Sequence, residues 1–126
     1  VYKFTKRILE NKNIIVYNNG KHKRDFTYID DIVESIIKLV ERKISIKNLI
    51  LNIGGSKYYK VLDLIKIIEK ILNLKAKIIF KKSTGEMKLT KANTNKLQKL
   101  ISYKPKTILE EGVKKFILWY LDFKSK

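Results

Sequence analysis

The chain has 126 residues, with 29 lysines and arginines against 12 aspartates and glutamates, and a formal net charge of +17. This length suits one domain or part of one. A hydrophobic content of 44% is enough to build a buried core, so a disordered chain is excluded. With no cysteine, the sequence excludes disulfides, thiolate metal sites and cysteine nucleophiles. No apolar run reaches the roughly 18 to 20 residues of a membrane span, and no signal peptide is visible, so we predict a cytoplasmic protein without membrane contact.

The positive charge leaves a basic module that binds RNA or another polyanion as one alternative. Only Arg7, Arg24 and Arg42 among the basic residues are arginines, whereas nucleic-acid sites favour arginine for its two-pronged contacts. The lysines are spread along the whole chain, which favours a compositional origin of the charge. The chain also starts at Val1 rather than at a methionine, which is consistent with an amino-terminal truncation.

Periodicity in the first half of the chain predicts alternating helices and strands. The predicted elements are a helix over 2–11, a strand over 14–17, a turn over 18–20, an extended piece over 26–28 and a helix from about 32 to 43. Asp31 and Glu34 have the spacing of a capping box at the start of that second helix. Residues 49–53 form a nearly continuous apolar run, which predicts a strand buried on both faces.

The second half continues the alternation with a helix over 61–73, a strand over 77–80, a polar loop over 81–91, a short helix from Asn93 to Ile101 and a last helix. Asn93 is the predicted cap of the short helix, and Thr107 with Glu110 forms a second predicted capping box. Trp119 is predicted to pack in a core or an interface rather than to stack on a ligand. The whole pattern predicts an α/β fold, with too few strands for a complete doubly wound sheet.

The run from Arg24 to Asp31, Arg-Asp-Phe-Thr-Tyr-Ile-Asp-Asp, contains the clearest candidate for chemistry. A guanidinium behind a glycine turn is suited to a pyrophosphate, because its planar fork matches phosphate oxygens. Taken alone, Arg24 could equally be a solvated loop residue or pair with Asp25. Asn52, in Asn-Ile-Gly-Gly-Ser, could equally end a strand at an ordinary turn.

The succession of an apolar strand, an Asn-Gly turn and Arg-Asp-Phe-x-Tyr-Ile-Asp-Asp resembles the carboxy-terminal part of NAD-dependent nucleotide-sugar epimerases and dehydratases, which belong to the extended short-chain dehydrogenases. Two later segments carry the same resemblance, Asn52 to Ser56 and Ser83 to Asn93, and so does the closing stretch from Tyr103 to Tyr120. The pattern is most similar to that of the UDP-glucuronate 4-epimerase type. Residues 1–126 are therefore expected to be the substrate-binding portion of a larger chain.

The resemblance implies roles for five residues in binding a UDP-sugar. Tyr17 would border the uracil, Arg24 would hold the diphosphate, and Asn52 would approach the nucleotide phosphates. Ser83 stands where the family has an Arg or Gln that meets ribose or phosphate, and Glu86 stands where it has an Asp. The other acidic residues of the first motif, Asp25, Asp30 and Asp31, are expected to be structural.

The family's catalytic machinery is not found in these residues. Its chemistry oxidises the sugar at C4 with NAD and uses a Tyr-x-x-x-Lys pair as the proton acceptor. That spacing occurs at Tyr2, Tyr17 and Tyr120, about as often as chance gives for 7 tyrosines among so many lysines, so no catalytic residue is assigned. Gly54-Gly55 lacks the spacing of a dinucleotide fingerprint. His22 is the sole histidine and is expected in a solvated loop without a metal.

We therefore expect that the fragment alone is inactive and binds no NAD, that the intact enzyme uses NAD as a homodimer, and that the missing partner is an amino-terminal Rossmann half. The sequence leaves open a non-catalytic subunit or scaffold that pairs with a separate Rossmann half.

Overall fold

Five helices and four short strands alternate along the chain in a computed structural model that describes residues 1–42, 48–55 and 57–126. The helices are α1 (Tyr2–Leu9), α2 (Ile29–Glu41), α3 (Val61–Leu72), α4 (Asn95–Ile101) and α5 (Leu109–Ser125). The strands are β1 (Ile14–Tyr17), β2 (Lys23–Arg24), β3 (Tyr59–Lys60) and β4 (Ile78–Lys81). The predicted α/β class is confirmed.

The strands form two separate pairs among the described residues. β1 and β4 are parallel, with Ile14 opposite Ile78 and Tyr17 opposite Lys81. β2 and β3 are antiparallel, and Lys23 also bridges to Leu89 in the loop after β4. Parallel pairing makes both long loops, one after β1 and one after β4, leave from the same edge.

The main core lies where α1, β1, α3 and α5 meet. Their apolar faces repeat at helical or alternating spacing, so each element buries one side. The buried side chains of this core are Ile8, Ile14, Val16, Leu64, Ile65, Ile68, Leu109, Val113 and Ile117. A second, smaller cluster of Leu97, Ile101 and Tyr103 joins α4 to α2. The main core buries Ile14 and Val16 of β1, so the loop that follows this strand starts from a buried element.

Residues 49–53 correct one prediction from the sequence. They form no strand, and Ile50 is 85% exposed instead of buried. An extended segment becomes a strand only beside another strand that can pair with its backbone groups. None of the described residues offers such a partner to this segment.

Three predicted helix caps also differ in the structure. Helix α2 begins at Ile29, before Asp31, so the predicted box of Asp31 and Glu34 is wrong. Helix α5 has Ile108 as its cap, so the box predicted at Thr107 is wrong as well. Thr94 caps α4, although the Asn93 carbonyl oxygen Oδ1 still accepts the amide of Asn95 at 3.2 Å. The Asp31 carboxylate accepts hydrogen bonds from Tyr103 and from the Thr107 amide, so both predicted boxes lose a member to contacts that are distant in sequence.

Apolar side chains remain exposed on two helices. The outer face of α2 has five of them, Ile29, Val33, Ile36, Ile37 and Val40, each 46–74% exposed. On α5, Trp119 is 56% exposed and stacks on Phe123 at 5.4 Å between ring centroids. Trp119 is therefore outside the core of this chain. None of the described helices is long and apolar enough to cross a membrane.

Candidate functional site

A cleft of about 460 Å³ opens at the edge where the loops after β1 and β4 leave the parallel pair. It is formed by two stretches of sequence about 65 residues apart. The lining residues are Asn18, Lys21, His22, Ser83, Gly85, Glu86 and Lys88. Two of the five predicted ligand residues, Ser83 and Glu86, thus lie in one cleft.

Asn18 ties the two walls of this cleft together. Its amide nitrogen Nδ2 donates to the carbonyl of Ser83 at 3.2 Å, and its Oδ1 accepts the Ser83 amide at 3.2 Å. Asn18 and Asn19 have φ values of 49° and 54°, which asparagine tolerates better than most residues. In this pairing Ser83 contributes its backbone. The predicted contact of the Ser83 side chain with a ligand stays a prediction.

Arg24 points toward the same loop from β2. Its Nη1 donates to the carbonyl of Met87 at 2.7 Å and to that of Lys23 at 3.0 Å, and its Nη2 lies 4.0 Å from Oε2 of Glu86. The Arg24 side chain is 29% exposed. The guanidinium is therefore held by its own protein but still reaches solvent beside the cleft.

His22 lies inside the cleft, so its predicted place in a solvated loop is wrong. Its side chain is only 13% exposed, with Nδ1 3.0 Å from Oε2 of Glu86 and Nε2 3.3 Å from Nδ2 of Asn18. Residues two apart in an extended chain share a face, so His22 and Arg24 both face the 83–88 loop. That spacing is the signal in the sequence that could have found His22.

Tyr17 and Asn52 are not among the lining residues of the cleft. Tyr17 is 41% exposed at the end of β1, directly before the lining residue Asn18. The Asn52 amide instead donates to the carbonyl of Asn93 at 3.4 Å. The ligand roles of both residues stay predictions.

Asp25 fastens the backbone behind Arg24. Its carboxylate accepts the amide of Gly55 at 2.9 Å and that of Ala92 at 3.0 Å. A Cβ added at Gly54 would lie 2.4 Å from the Cβ of Ala92 and 3.0 Å from Oδ2 of Asp25. The glycine turn is therefore filled by this chain and does not fit the pyrophosphate of a dinucleotide.

Asp31 fixes α2 to the segment before α5. Its carboxylate accepts the hydroxyl of Tyr103 at 2.9 Å and the amides of Lys106 and Thr107 at 3.3 and 3.1 Å. Burial alone would raise the pKa of Asp31, but the hydrogen bonds from Thr107, Tyr103 and Lys106 outweigh it and lower the pKa below 3.8. Burial, and then the bond to Asp31, raise the pKa of Tyr103 above its ordinary 10.0. The expected structural roles of Asp25 and Asp31 thus have contacts that explain them.

No group of three or more histidine or carboxylate residues among the described parts of the chain is placed to hold a metal ion. The side chains that line the cleft offer hydrogen bonds and charge. Arg24, Lys21 and Lys88 supply positive charge, and Glu86 supplies the negative charge of the lining. Such a set suits an anionic ligand with hydroxyl groups.

Comparison with known proteins identifies the family of the chain. The model of the NAD dependent epimerase/dehydratase family matches residues 1–54. Together with relatives that align along nearly the whole chain, this match shows that the chain belongs to that family, and the family predicted from the motifs is confirmed.

The similar proteins include UDP-glucuronate 4-epimerase 4 of Arabidopsis thaliana, 35% identical over 138 residues, which cover 97% of this chain and 32% of that protein. An uncharacterized protein of Methanocaldococcus jannaschii is 44% identical over 125 residues, covering 98% of this chain and 38% of that protein. The crystal structure of UDP-glucuronic acid 4-epimerase from Bacillus cereus in complex with UDP-glucuronic acid and NAD is similar with a TM-score of 0.84 and 34% identity, covering 94% of this chain and 39% of that one. The chain thus spans 32–39% of the length of these relatives.

Proposed function

We propose that residues 1–126 are the nucleotide-sugar-binding portion of an NAD-dependent sugar 4-epimerase and that they bind a UDP-sugar. The observation that carries this proposal is the position of Arg24 beside Glu86, at the border of a cleft whose lining includes Lys21 and Lys88. Tyr17 is exposed and directly precedes the lining residue Asn18 in the sequence. A guanidinium and a flat ring are the groups that a diphosphate and a base require. The Bacillus cereus relative that has the same fold was crystallised with UDP-glucuronic acid, which supports the same ligand class here.

The role of these residues in the intact enzyme would be to position the ligand. Arg24 would hold the diphosphate, Tyr17 would border the base, and Asn52 and Ser83 would complete the contacts, with Glu86 next to Arg24 at the cleft. Fixing the nucleotide in this way places the sugar at a defined point for chemistry. The described turn at Gly54 and Gly55 is packed against Asp25 and Ala92, which supports the proposal that cofactor binding and proton transfer are supplied by residues outside these 126. On this proposal the chain alone binds ligand without turning it over.

Isothermal titration of the chain with UDP-glucuronic acid, UDP and uridine tests the proposal. Arg24→Ala should weaken binding of UDP by about 1.5 to 3 kcal/mol, the range for loss of a hydrogen bond to a charged group. Arg7→Ala is the matched control, because Arg7 is exposed on α1 and donates to the carbonyl of Asn13. Equal affinities of wild type and Arg24→Ala for UDP would remove Arg24 from the site.

The same titration distinguishes a nucleotide-sugar site from the alternative of a basic module that binds RNA or another polyanion. An RNA-binding module would bind UDP no better than any small anion and would bind single-stranded RNA with a steep salt dependence. A nucleotide-sugar site would prefer UDP to pyrophosphate, because the base adds contacts. Titrations with pyrophosphate and with an oligonucleotide therefore complete the set.

A second candidate function, a non-catalytic subunit that pairs with a separate dinucleotide-binding chain, is favoured by the exposed apolar face of α2 and by Ile50. Monomeric proteins rarely leave such a contiguous apolar surface uncovered. Intact-mass analysis of the protein from its native cells distinguishes the two candidates. A polypeptide of 14.9 kDa would support the separate subunit, and a polypeptide two to three times heavier would support one continuous enzyme. Homodimerisation of the intact enzyme stays a prediction.

A further inference from the structure

A carboxylate of this chain lies next to the guanidinium of Arg24. Oε2 of Glu86 lies 4.0 Å from Nη2 of Arg24 and 3.0 Å from Nδ1 of His22. The adjacent carbonyl of Met87 accepts Nη1 of Arg24 at 2.7 Å. The loop after β4 therefore satisfies the guanidinium from two sides.

We propose, on the basis of the function proposed above, that Glu86 is an internal counter-anion of the nucleotide site. It neutralises Arg24 and accepts a hydrogen bond from His22 while the cleft is free, and the diphosphate of the ligand displaces it. Glu86 would then determine how strongly the cleft discriminates against weakly charged ligands. This role differs from direct contact with the ligand, which the sequence predicted for Glu86.

The hydrogen bonds of His22 show that Glu86 is held by an ordered contact. The amide nitrogen Nδ2 of Asn18 is a donor, so its neighbour Nε2 of His22 must accept. In a neutral imidazole the proton is then on Nδ1, which donates to the carboxylate of Glu86. The His22 ring is mostly buried, and Asn18 is itself bonded to Ser83. Glu86 thus meets an oriented donor.

The loop can release Glu86 without disturbing the sheet. The loop is anchored first by the two hydrogen bonds between Asn18 and Ser83. Its second anchor is the 3.0 Å hydrogen bond that the Lys23 amide donates to the Lys88 carbonyl. Between the anchors, Gly85 has a φ of +83° and open space around the position of a Cβ. A turn of a few residues can therefore rearrange while both anchors stay in place.

Electrostatics gives the direction of the effect. The other charged residues that line or border the cleft, Lys21, Lys88 and Arg24, are all cationic. Removing the charge of Glu86 therefore leaves a more positive site for any anion. For two unit charges about 4 Å apart at an exposed position, Coulomb's law predicts an effect of about fivefold in affinity.

The experiment is isothermal titration of wild type, Glu86→Gln and Glu110→Gln with pyrophosphate, UDP and uridine at low ionic strength. Glu110→Gln is the matched control, since it makes the same change in net charge at a carboxylate on α5 that pairs with Lys70 at 2.8 Å. We expect Glu86→Gln to bind pyrophosphate and UDP about fivefold more tightly and uridine equally, with less than about a twofold effect for Glu110→Gln. In Arg24→Ala/Glu86→Gln most of that gain should disappear.

Each other outcome overturns the proposal. Equal or weaker pyrophosphate binding by Glu86→Gln would mean that Glu86 contacts the ligand or does not influence it. Absence of pyrophosphate binding by both proteins would mean that Arg24 forms no anion site to be blocked. Failure of the proposed function has a different signature, since UDP would then bind no more tightly than pyrophosphate. Tighter binding of pyrophosphate by Glu86→Gln than by wild type would still support the role of Glu86 as a counter-anion.

Discussion

Removal of the Asp31 carboxylate should destabilise the protein by about 3 to 5 kcal/mol. Asp31 is 4% exposed and accepts three hydrogen bonds, from the Tyr103 hydroxyl and from the amides of Lys106 and Thr107. In Asp31→Ala these donors lose their partner, and each buried donor left unpaired costs about 1 to 3 kcal/mol. Water can reach the amides of residues 106 and 107 in the variant and pair with them. The predicted loss of about 3 to 5 kcal/mol is therefore smaller than the sum over three fully buried donors.

Urea unfolding followed by circular dichroism at pH 7 measures this free energy. Asp30→Ala is the matched control, because Asp30 also lies in the first turn of α2 and loses the same favourable interaction with the helix dipole, about 0.3 to 1 kcal/mol. If Asp31→Ala and Asp30→Ala unfold within about 1 kcal/mol of each other, the argument from the three hydrogen bonds is refuted.

The pH dependence of the same comparison has a definite sign. The pKa of Asp31 is lower in the folded protein than its ordinary 3.8, so its contribution is fully present above that value and is lost as the pH falls through the folded pKa. The difference in unfolding free energy between wild type and Asp31→Ala should therefore be constant near neutral pH and shrink below pH 3.8. A difference that grows on acidification would contradict the direction of the shift.

Two further pairs of variants test the packing, each measured by the same unfolding assay. Gly20→Ala should cost about 2 to 4 kcal/mol, because the new Cβ would lie 2.5 Å from Cγ of Leu62 at a φ of +64°, whereas Gly85→Ala, at positive φ but in open space, should cost about 1 kcal/mol. Equal costs would show that backbone strain alone decides. Ile117→Ala should cost about 2 to 5 kcal/mol and Leu118→Ala less than about 0.5 kcal/mol, since their exposed fractions are 1% and 57%. Similar losses of unfolding free energy for Ile117→Ala and Leu118→Ala would contradict the assignment of Ile117 to the buried face of α5.

The helices could be predicted from the sequence because their signal is local. Apolar residues three and four apart defined α3 and the inner face of α5, and these are the faces that the core buries. The paired strands β1 and β4 were found at nearly their observed bounds. Residues 49–53 have an equally strong strand pattern, but a strand also needs a neighbour, and sequence periodicity does not show whether one is present.

The contacts of the predicted site residues follow less directly from the sequence, for a related reason. The motif of Arg24 is contiguous and so is visible in the sequence, whereas the partners that hold Arg24, Met87 and Glu86, lie more than 60 residues away. The acidic spacing at Asp31 imitates a helix cap, and only the fold shows that the carboxylate bonds to Tyr103 instead. The place of His22 differs from its prediction because its partner Glu86 lies 64 residues away, on the other wall of the cleft, and only the spacing of His22 to Arg24 points to it in the sequence.

The distance in sequence between the cleft walls also has a consequence for how the protein folds. The hydrogen bonds that cross the cleft join residues 63 to 65 positions apart, and α3 lies between them. Closing so long a loop costs entropy, and the pairing of β1 with β4 closes the same loop, so the strands and the cleft share this one cost. During synthesis the cleft can therefore appear only after residue 88 has left the ribosome.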